Sequence, residues 1–250
     1  MELMIAKLLG FVMVLTRISA FFLVVPVFGW KTIPVRVKVA MTLLIAVFFS
    51  MIVPSTINPG EVSSVTAALL IAYEATYGLA LGLMVAILFA PVKLGGRVIE
   101  RQMGLAMAEV LDPLTGDRAQ PLGMLIETIF VVLFLSANGH HLLLTAISRS
   151  YETFPVGTVP TVSVLAGGVT KAGSTMLMMG LKLAAPILAA FLLLMVVLAV
   201  LARIMPEMNI LFISLPLRVG MGMLMMAIFM PFIYSFMSEF TELVGKLLPV

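Results

Sequence analysis

Long apolar runs separated by short polar connectors make up most of the chain. About 20 predominantly apolar residues in a helix span the hydrocarbon core of a bilayer, so these runs predict membrane helices. Counting a fourth segment that is broken in the middle, we expect six of them. They lie at about Leu3–Phe28, Val39–Val53, Thr66–Ala90, Leu122–Phe154, Thr175–Ile204 and Ile210–Phe240.

The polar interruptions predict where the helices break. Two short runs, Leu122–Ala137 and Leu142–Phe154, flank the turn Asn138-Gly139-His140-His141, a pattern that favours a helical hairpin. Residues 155–168 contain two prolines and three glycines, so we expect a loop there. Pro186 is expected to kink the fifth segment, because proline removes a backbone donor and crowds the preceding turn.

The composition is typical of an integral membrane protein. Hydrophobic residues make up 62% of the 250 positions and charged residues 11%, and the mean hydropathy is +1.21. We therefore predict an all-α, multi-pass protein in which residues 1–250 form a single membrane domain. The net charge of +3 is spread over the connectors and does not indicate a nucleic-acid partner. Membrane lipid is the expected surrounding.

Basic residues concentrate in alternate connectors. Lys31, Arg36 and Lys38 occupy the first connector without an acidic residue, whereas the second connector has Glu61 as its only charge. Because cytoplasmic loops carry an excess of Lys and Arg, this pattern predicts six spans with both termini outside.

One polar stretch, 91–121, stands out because it holds eight charged residues. Its first part predicts an amphipathic helix over Arg97–Val110, with Gly95 and Gly96 loosening the helix start. Asp112 precedes Pro113 and should leave the helical region, and the following residues favour a turn. From composition alone a cytoplasmic connector is the favoured interpretation. The alternative is an ordered helix that delivers a short glycine-containing loop to a fixed place.

Two charges fall inside apolar segments. Arg17 lies in the middle of the first segment and Glu74 in the third, beside Tyr73 and Tyr77. Because a charge at membrane depth needs a partner, we expect both to be structural, and Arg17 is a candidate partner for Glu74. For Arg17, snorkelling toward an interface is the alternative.

Enzyme and metal-site patterns are missing from the sequence. It has no HExxH, GxSxG, P-loop or GxGxxG motif, and without cysteine it has no thiol nucleophile or thiolate ligand. His140 and His141 are the only histidines; neighbouring histidines are expected to point apart on a helix, which makes a poor metal site. We expect no catalysis, cofactor or metal.

Methionine is abundant, with 21 residues. Packing filler is the simpler interpretation, because thioethers fill irregular gaps. The alternative is a deformable pore seal, for which Met221 and Met225 are the candidates.

A series of short motifs recurs in order along nearly the whole chain. These motifs are Arg17 followed by Pro26-Val27-Phe28-Gly29, Pro34 and Lys38; Gly95-Gly96 and Gln102-Met103-Gly104 leading to Asp112-Pro113; Asn138-Gly139-His140; Ser150 with Phe154-Pro155-Val156-Gly157; and Pro186, Arg203, Pro206, Asn209 and Pro216-Leu217. In this order and spacing the chain resembles the FliR family of the bacterial flagellar export gate. Relatives of that family in virulence-type secretion systems are called SctT.

The resemblance implies a function. It implies a non-enzymatic core component of the flagellar type III protein export gate, which unfolded flagellar subunits pass through. The implied site is the bacterial inner membrane at the flagellar basal body. The implied partners are FliP and FliQ homologues, together with FlhB- and FlhA-type export components. It also implies that many nominally spanning helices lie above the bilayer plane, where they pack against other subunits.

In the family the loop between the third and fourth segments plugs the channel, which reverses the preference for a mere connector. The implied plug consists of Glu109, Val110, Leu111, Asp112, Pro113, Leu114, Thr115 and Gly116. Gly95, Gly96 and Gly104 are the candidate hinges. Two alternatives remain: an injectisome gate subunit of the same family, and a secondary transporter of a small solute.

Overall fold

Helices account for almost all of the described part of the chain. The computed structural model describes residues 2–29, 33–53, 63–104, 121–159, 162–207, 209–210 and 212–228. These ranges contain no strand, which confirms the all-α prediction. The helices are α1 Glu2–Val24, α2 Pro26–Gly29, α3 Val35–Ile52, α4 Ser64–Met103, α5 Pro121–Ser136, α6 Gly139–Thr153, α7 Val162–Ile204 and α8 Phe212–Ile228.

Four helices, α1, α3, α4 and α7, are long and apolar enough to cross a membrane. Counting α5 and α6 as one broken span raises the number to five among the described residues. The described part of the predicted sixth segment, α8, is apolar but shorter than 18 residues. The chain is therefore a multi-pass membrane protein by the length and composition of its helices.

The first of the two long helices joins two elements that the sequence separated. α4 runs for 40 residues through Pro91 and through Gly95 and Gly96, so the expected loosened helix start at the two glycines is wrong. Proline in a helix interior costs about 3 kcal/mol. Leu88, three residues before Pro91, and Val92, directly after it, are both buried, and burial of such side chains offsets that cost.

The other long helix begins earlier than expected. α7 runs for 43 residues from Val162, so Gly167 and Gly168 are helical and the expected loop over 155–168 is too long. Gly168 packs against Met84: a Cβ atom there would lie 3.2 Å from the Met84 sulfur and closer still to its methyl group. A side chain at this position would displace the flexible end of Met84, so glycine here gives that side chain room.

The polar turns are also shorter than expected. His140 and His141 belong to the first turn of α6, and the break is limited to Ala137 and Asn138. Asn138 adopts the left-handed conformation with φ 59°, which Asn tolerates better than most residues. Arg36 and Lys38 lie in α3 instead of the connector before it, because Pro34 is extended and directly precedes the helix.

The described residues form two compact units. The first contains those of Met1–Phe89 and Asn138–Thr175, and the second those of Ala90–Ala137 and Met176–Phe240. Each unit has fully buried apolar side chains, for example Ile18 and Phe21 in the first and Ile99 and Phe134 in the second.

Candidate functional site

A buried ion pair lies at the centre of the first unit. The Nε atom of Arg17 in α1 donates to Oε2 of Glu74 in α4 across 2.6 Å. Both side chains are 1% exposed. The two charges that sequence reasoning placed inside apolar segments are therefore in direct contact.

The guanidinium group makes further contacts with α6 and the residue after it. Nη1 donates to the carbonyl of Ser150 at 3.2 Å, to its hydroxyl at 3.4 Å and to the carbonyl of Phe154 at 3.0 Å. The Cζ atom lies 4.3 Å from the ring centre of Tyr151 and 4.8 Å from that of Tyr77. Because such cation–π contacts strengthen when desolvated, two rings and three acceptors stabilise the buried cation.

The second oxygen of Glu74 holds the turn that follows α6. Its Oε1 accepts from the backbone N–H of Gly157 at 3.0 Å. Gly157 has φ +86°, a conformation that glycine adopts without strain. Arg17 binds the carbonyl of Phe154 and Glu74 binds the amide of Gly157, so the ion pair holds both ends of the turn Phe154–Gly157. We call this arrangement the Arg17–Glu74 clamp.

Two glycines set the distance between the helices that carry the clamp. Cβ atoms at Gly78 and Gly82 of α4 would contact α1: at Gly78 a Cβ atom would overlap the carbonyl oxygen of Arg17 and lie 2.8 Å from the Cβ atom of Ala20. At Gly82 it would lie 2.9 Å from the carbonyl oxygen of Phe21. Glycines four residues apart allow helix backbones to approach closely, and this crossing brings Arg17 within reach of Glu74.

The clamp is suited to holding three segments of the first unit together. Each charge is paired and hydrogen-bonded, which is how proteins accommodate charges removed from water. Across the described ranges, no group of three or more His, Asp or Glu side chains could hold a metal ion. The rings of His140 and His141 lie 4.3 Å apart, so the expectation that they point away from each other is wrong.

The polar stretch that begins at Pro91 continues α4 in the second unit. Glu100 is 6% exposed, and its Oε1 accepts from the amide of Gly123 in α5 at 3.0 Å. At Gly96 a Cβ atom would lie 2.7 Å from the Cα atom of Gly123, so the two backbones nearly touch. Lys93 and Glu127 add a partly exposed ion pair of 3.6 Å. α4 is thus fixed on α5 in the turns before it ends.

The end of α4 packs on α8. A Cβ atom at Gly222 would lie 2.5 Å from the sulfur of Met103, the last helical residue. Gly104 follows with φ +79°. A Cβ atom on Gly104 would lie 3.6 Å from the side chain of Leu215 in α8. Gly104 is the left-handed residue that commonly terminates a helix.

The remaining predicted site residues divide by location. The plug segment Glu109–Gly116 lies outside the described residues, and so does most of stretch 91–121 beyond Gly104. Met221 and Met225 are half-buried on α8. Gly95 lies in α4 with open space where its side chain would be, whereas Gly96 is a packing contact.

Comparison with known proteins assigns the chain to a protein family. A family model described as bacterial export proteins, family 1, matches residues 8–244. The chain belongs to this family. The flagellar biosynthetic protein FliR of Bacillus subtilis (strain 168) is 32% identical over 230 residues, covering 90% of this chain and 87% of the relative. FliR of Escherichia coli (strain K12) is 32% identical over 234 residues, covering 93% and 89%.

A relative from a virulence system also matches. Yop proteins translocation protein T of Yersinia pestis is 28% identical over 229 residues, covering 89% of this chain and 86% of the relative. Family 1 membership confirms the resemblance inferred from the motifs. The matches support a component of flagellar type III export, and the Yersinia relative also fits the injectisome alternative. The names of these relatives describe flagellar biosynthesis and the translocation of Yop proteins.

The clamp brings together two of the motifs found in the sequence. Arg17 belongs to one motif and Ser150, Phe154 and Gly157 to another, and the structure places all four around one ion pair. Sequence reasoning missed Gly78 and Gly82. Their four-residue spacing inside an apolar segment was the signal that could have found them.

Proposed function

We propose that this chain is a core, non-enzymatic subunit of the flagellar type III export gate in the bacterial inner membrane. In that gate it helps to form and close the channel through which unfolded flagellar subunits cross. The observation that carries the proposal is the match of residues 8–244 to export protein family 1, together with the FliR relatives that cover about nine tenths of the chain.

The plug role of Glu109–Gly116 is part of this proposal, and the anchoring of the preceding helix supports it. α4 is fixed by the contacts of Gly96 and Glu100 with Gly123, and its last residue packs on Gly222. The plug segment starts at Glu109, six residues after Met103, and so has a defined point of attachment. In the closed gate Val110, Leu111 and Leu114 fill the conduit, and export moves them.

Gly104 is the hinge that we favour among the three glycines. It ends α4 with a positive φ and sits between the fixed helix and the plug segment. Gly96 is held against α5 and Gly95 is inside a continuous helix, so movement at either would bend α4 itself. Met221 and Met225, on the helix that receives Met103, are proposed as a flexible seal beside the plug.

Partner subunits are proposed from the helix lengths and exposed faces. At about 1.5 Å per residue, α4 and α7 are about 60 Å and 65 Å long, roughly twice the 30 Å hydrocarbon core. α7 exposes large apolar side chains on both sides of its middle, for example Leu181 at 67% and Leu193 at 66%. A bilayer covers only half of such a helix, so protein has to cover the rest. FliP and FliQ homologues are the proposed neighbours, with FlhB- and FlhA-type proteins joining the same apparatus.

Co-expression tests the proposal. The chain is tagged, expressed with the FliP and FliQ homologues of its own organism, purified in mild detergent and weighed by native mass spectrometry. A large complex containing one copy of this chain supports the gate. A stable monomer or homodimer that ignores both partners contradicts it and moves the interpretation to a small-solute transporter, for which flux by the chain alone in liposomes is the assay.

The injectisome alternative has its own observation, the match to the Yersinia translocation protein T. It is tested by replacing the gate subunit of a flagellated host with this chain. Restored secretion of flagellar subunits supports the flagellar assignment. Restoration only in an injectisome host supports the alternative.

A further inference from the structure

An apolar cleft of about 490 Å³ lies between α1 and α3 in the first unit. We propose that it binds one acyl chain of an anionic phospholipid, with the lipid phosphate held by Lys38. Its volume falls within the range of about 300–1,000 Å³ that small-molecule sites occupy in proteins. The residues that line the cleft differ from those that form the clamp and from those around the end of α4.

The described wall of the cleft is mostly apolar, and the hydroxyl groups of Ser19 and Thr42 in it already donate hydrogen bonds. Ser19 donates to the carbonyl of Thr16 at 3.0 Å, and Thr42 donates to the carbonyl of Lys38 at 2.8 Å. Neither hydroxyl proton is free to recognise a polar ligand. Phe22 and Phe28 pack edge to face with ring centres 4.6 Å apart and form part of the wall. Such a wall fits a hydrocarbon chain better than a polar solute.

Among the described residues that line this cleft, the charged one is Lys38. It lies in the first turn of α3, so its aliphatic stem can follow the apolar wall while the ammonium group stays at the headgroup level. Within the described ranges no carboxylate forms an ion pair with Lys38. The unpaired cation at the rim of an apolar cleft complements an anionic headgroup above a hydrocarbon tail.

The cleft is open to what surrounds the protein. Leu23 and Val35, which line it, are 77% and 72% exposed, and only 17% of α3 is buried. The lining residues of α3 run from Val35 to Leu43, about 12 Å along the helix axis. Lys38 lies about 8 Å from Leu43 along this axis, so the cleft holds the part of an acyl chain that is nearest its headgroup.

Native mass spectrometry of the delipidated full-length chain, titrated with dioleoylphosphatidylglycerol and dioleoylphosphatidylcholine, tests the proposal. The first phosphatidylglycerol should bind at least about fivefold more tightly than phosphatidylcholine, the effect of one basic residue near an anionic headgroup. Lys38→Gln should remove this preference. Arg36→Gln is the matched control, because Arg36 is exposed two residues away and does not line the cleft.

A second variant tests the cleft independently of charge. Ser19→Phe places a ring in the cleft from an exposed position of α1, and it should abolish the tight site for either lipid. Equal loss of the preference in Lys38→Gln and Arg36→Gln, or unchanged binding in Ser19→Phe, would show that lipid binds only at the basic surface. A third experiment places the photocrosslinking residue benzoylphenylalanine at position 19 of this chain in the purified gate. Crosslinks to lipid support the proposal, and crosslinks to a partner subunit overturn it.

Discussion

The Nε atom of Arg17 lies 2.6 Å from Oε2 of Glu74, and the two residues are 57 positions apart in the chain. The same pair holds the carbonyl of Phe154 and the amide of Gly157. Three distant segments of the first unit thus meet at one pair of charges. Side chains of α1 and α4 hold the turn between α6 and α7, in addition to the bonds that Thr158 donates to the carbonyl of Pro155.

Glu74→Gln should destabilise the protein strongly. The change leaves Arg17 buried without its counter-charge, and breaking a buried pair costs about 3–5 kcal/mol. Glu127→Gln is the control, because its ion pair with Lys93 is partly exposed and such pairs contribute about 0–1 kcal/mol. Thermal unfolding of the purified full chain measures both, and equal shifts of the two midpoints would contradict a structural role for the clamp.

Gly78→Ala should be destabilising although alanine is the better helix former. The new Cβ atom overlaps the carbonyl oxygen of Arg17, and overpacking costs about 1–3 kcal/mol. Gly95→Ala is its matched control in the same helix, since nothing lies within 4 Å of the new atom. There the helix propensity should dominate and stabilise by about 0.5–1 kcal/mol. Changes of the same sign in the unfolding midpoint would argue against the close crossing.

Gly157→Ala should weaken the turn that the clamp holds. At φ +86° an L-residue costs about 1–2 kcal/mol, although the N–H bonded to Glu74 is kept. Gly167→Ala, in the helical part of α7 with open space around it, should be neutral or stabilising. Limited proteolysis near residue 157 reports the difference. If Gly157→Ala were cut no faster than Gly167→Ala, the turn would not depend on glycine.

Gly222→Leu should disturb the attachment of the plug segment. The larger side chain displaces Met103 at the end of α4, and the following Gly104 moves with it. Gly220→Leu is the control on the same helix, because its side chain meets open space. Secretion of flagellar subunits by cells carrying each variant is the measurement. We expect a loss of several-fold for Gly222→Leu alone; equal secretion by the two variants would argue that this contact is unimportant for the gate.

The sequence predicted the class of the fold and the charged pair, but not the helix continuity. Buried charges could be identified because an apolar segment rarely contains an unpartnered Arg17 or Glu74. Pro91 and the glycines at 95, 96, 167 and 168 predicted breaks, yet α4 and α7 continue through them. Local propensity is weak compared with packing: Gly96 and Gly168 serve close contacts with Gly123 and Met84, and sequence alone does not show which neighbour a glycine meets.

The sequence also did not predict how the other residues of the clamp bind Arg17. Phe154 contributes a backbone carbonyl, and so does Ser150 in addition to its hydroxyl group. A carbonyl acceptor is available on every residue, so the sequence does not show which one binds Arg17. The apolar cleft beside Lys38 depends on how α1 and α3 pack, which the hydrophobic pattern of either helix does not specify. The plug assignment rests on the family resemblance and stays a prediction.

Ion conductance of the purified gate in planar bilayers tests the central claim, that Glu109–Gly116 closes the conduit. The gate containing the full-length chain should be closed to small ions. Deletion of Leu111–Thr115 should open it to a steady leak, because the apolar side chains proposed to fill the conduit are removed, while native mass spectrometry shows an unchanged subunit composition. A deletion gate that assembles normally and conducts no more than the intact one would contradict the account.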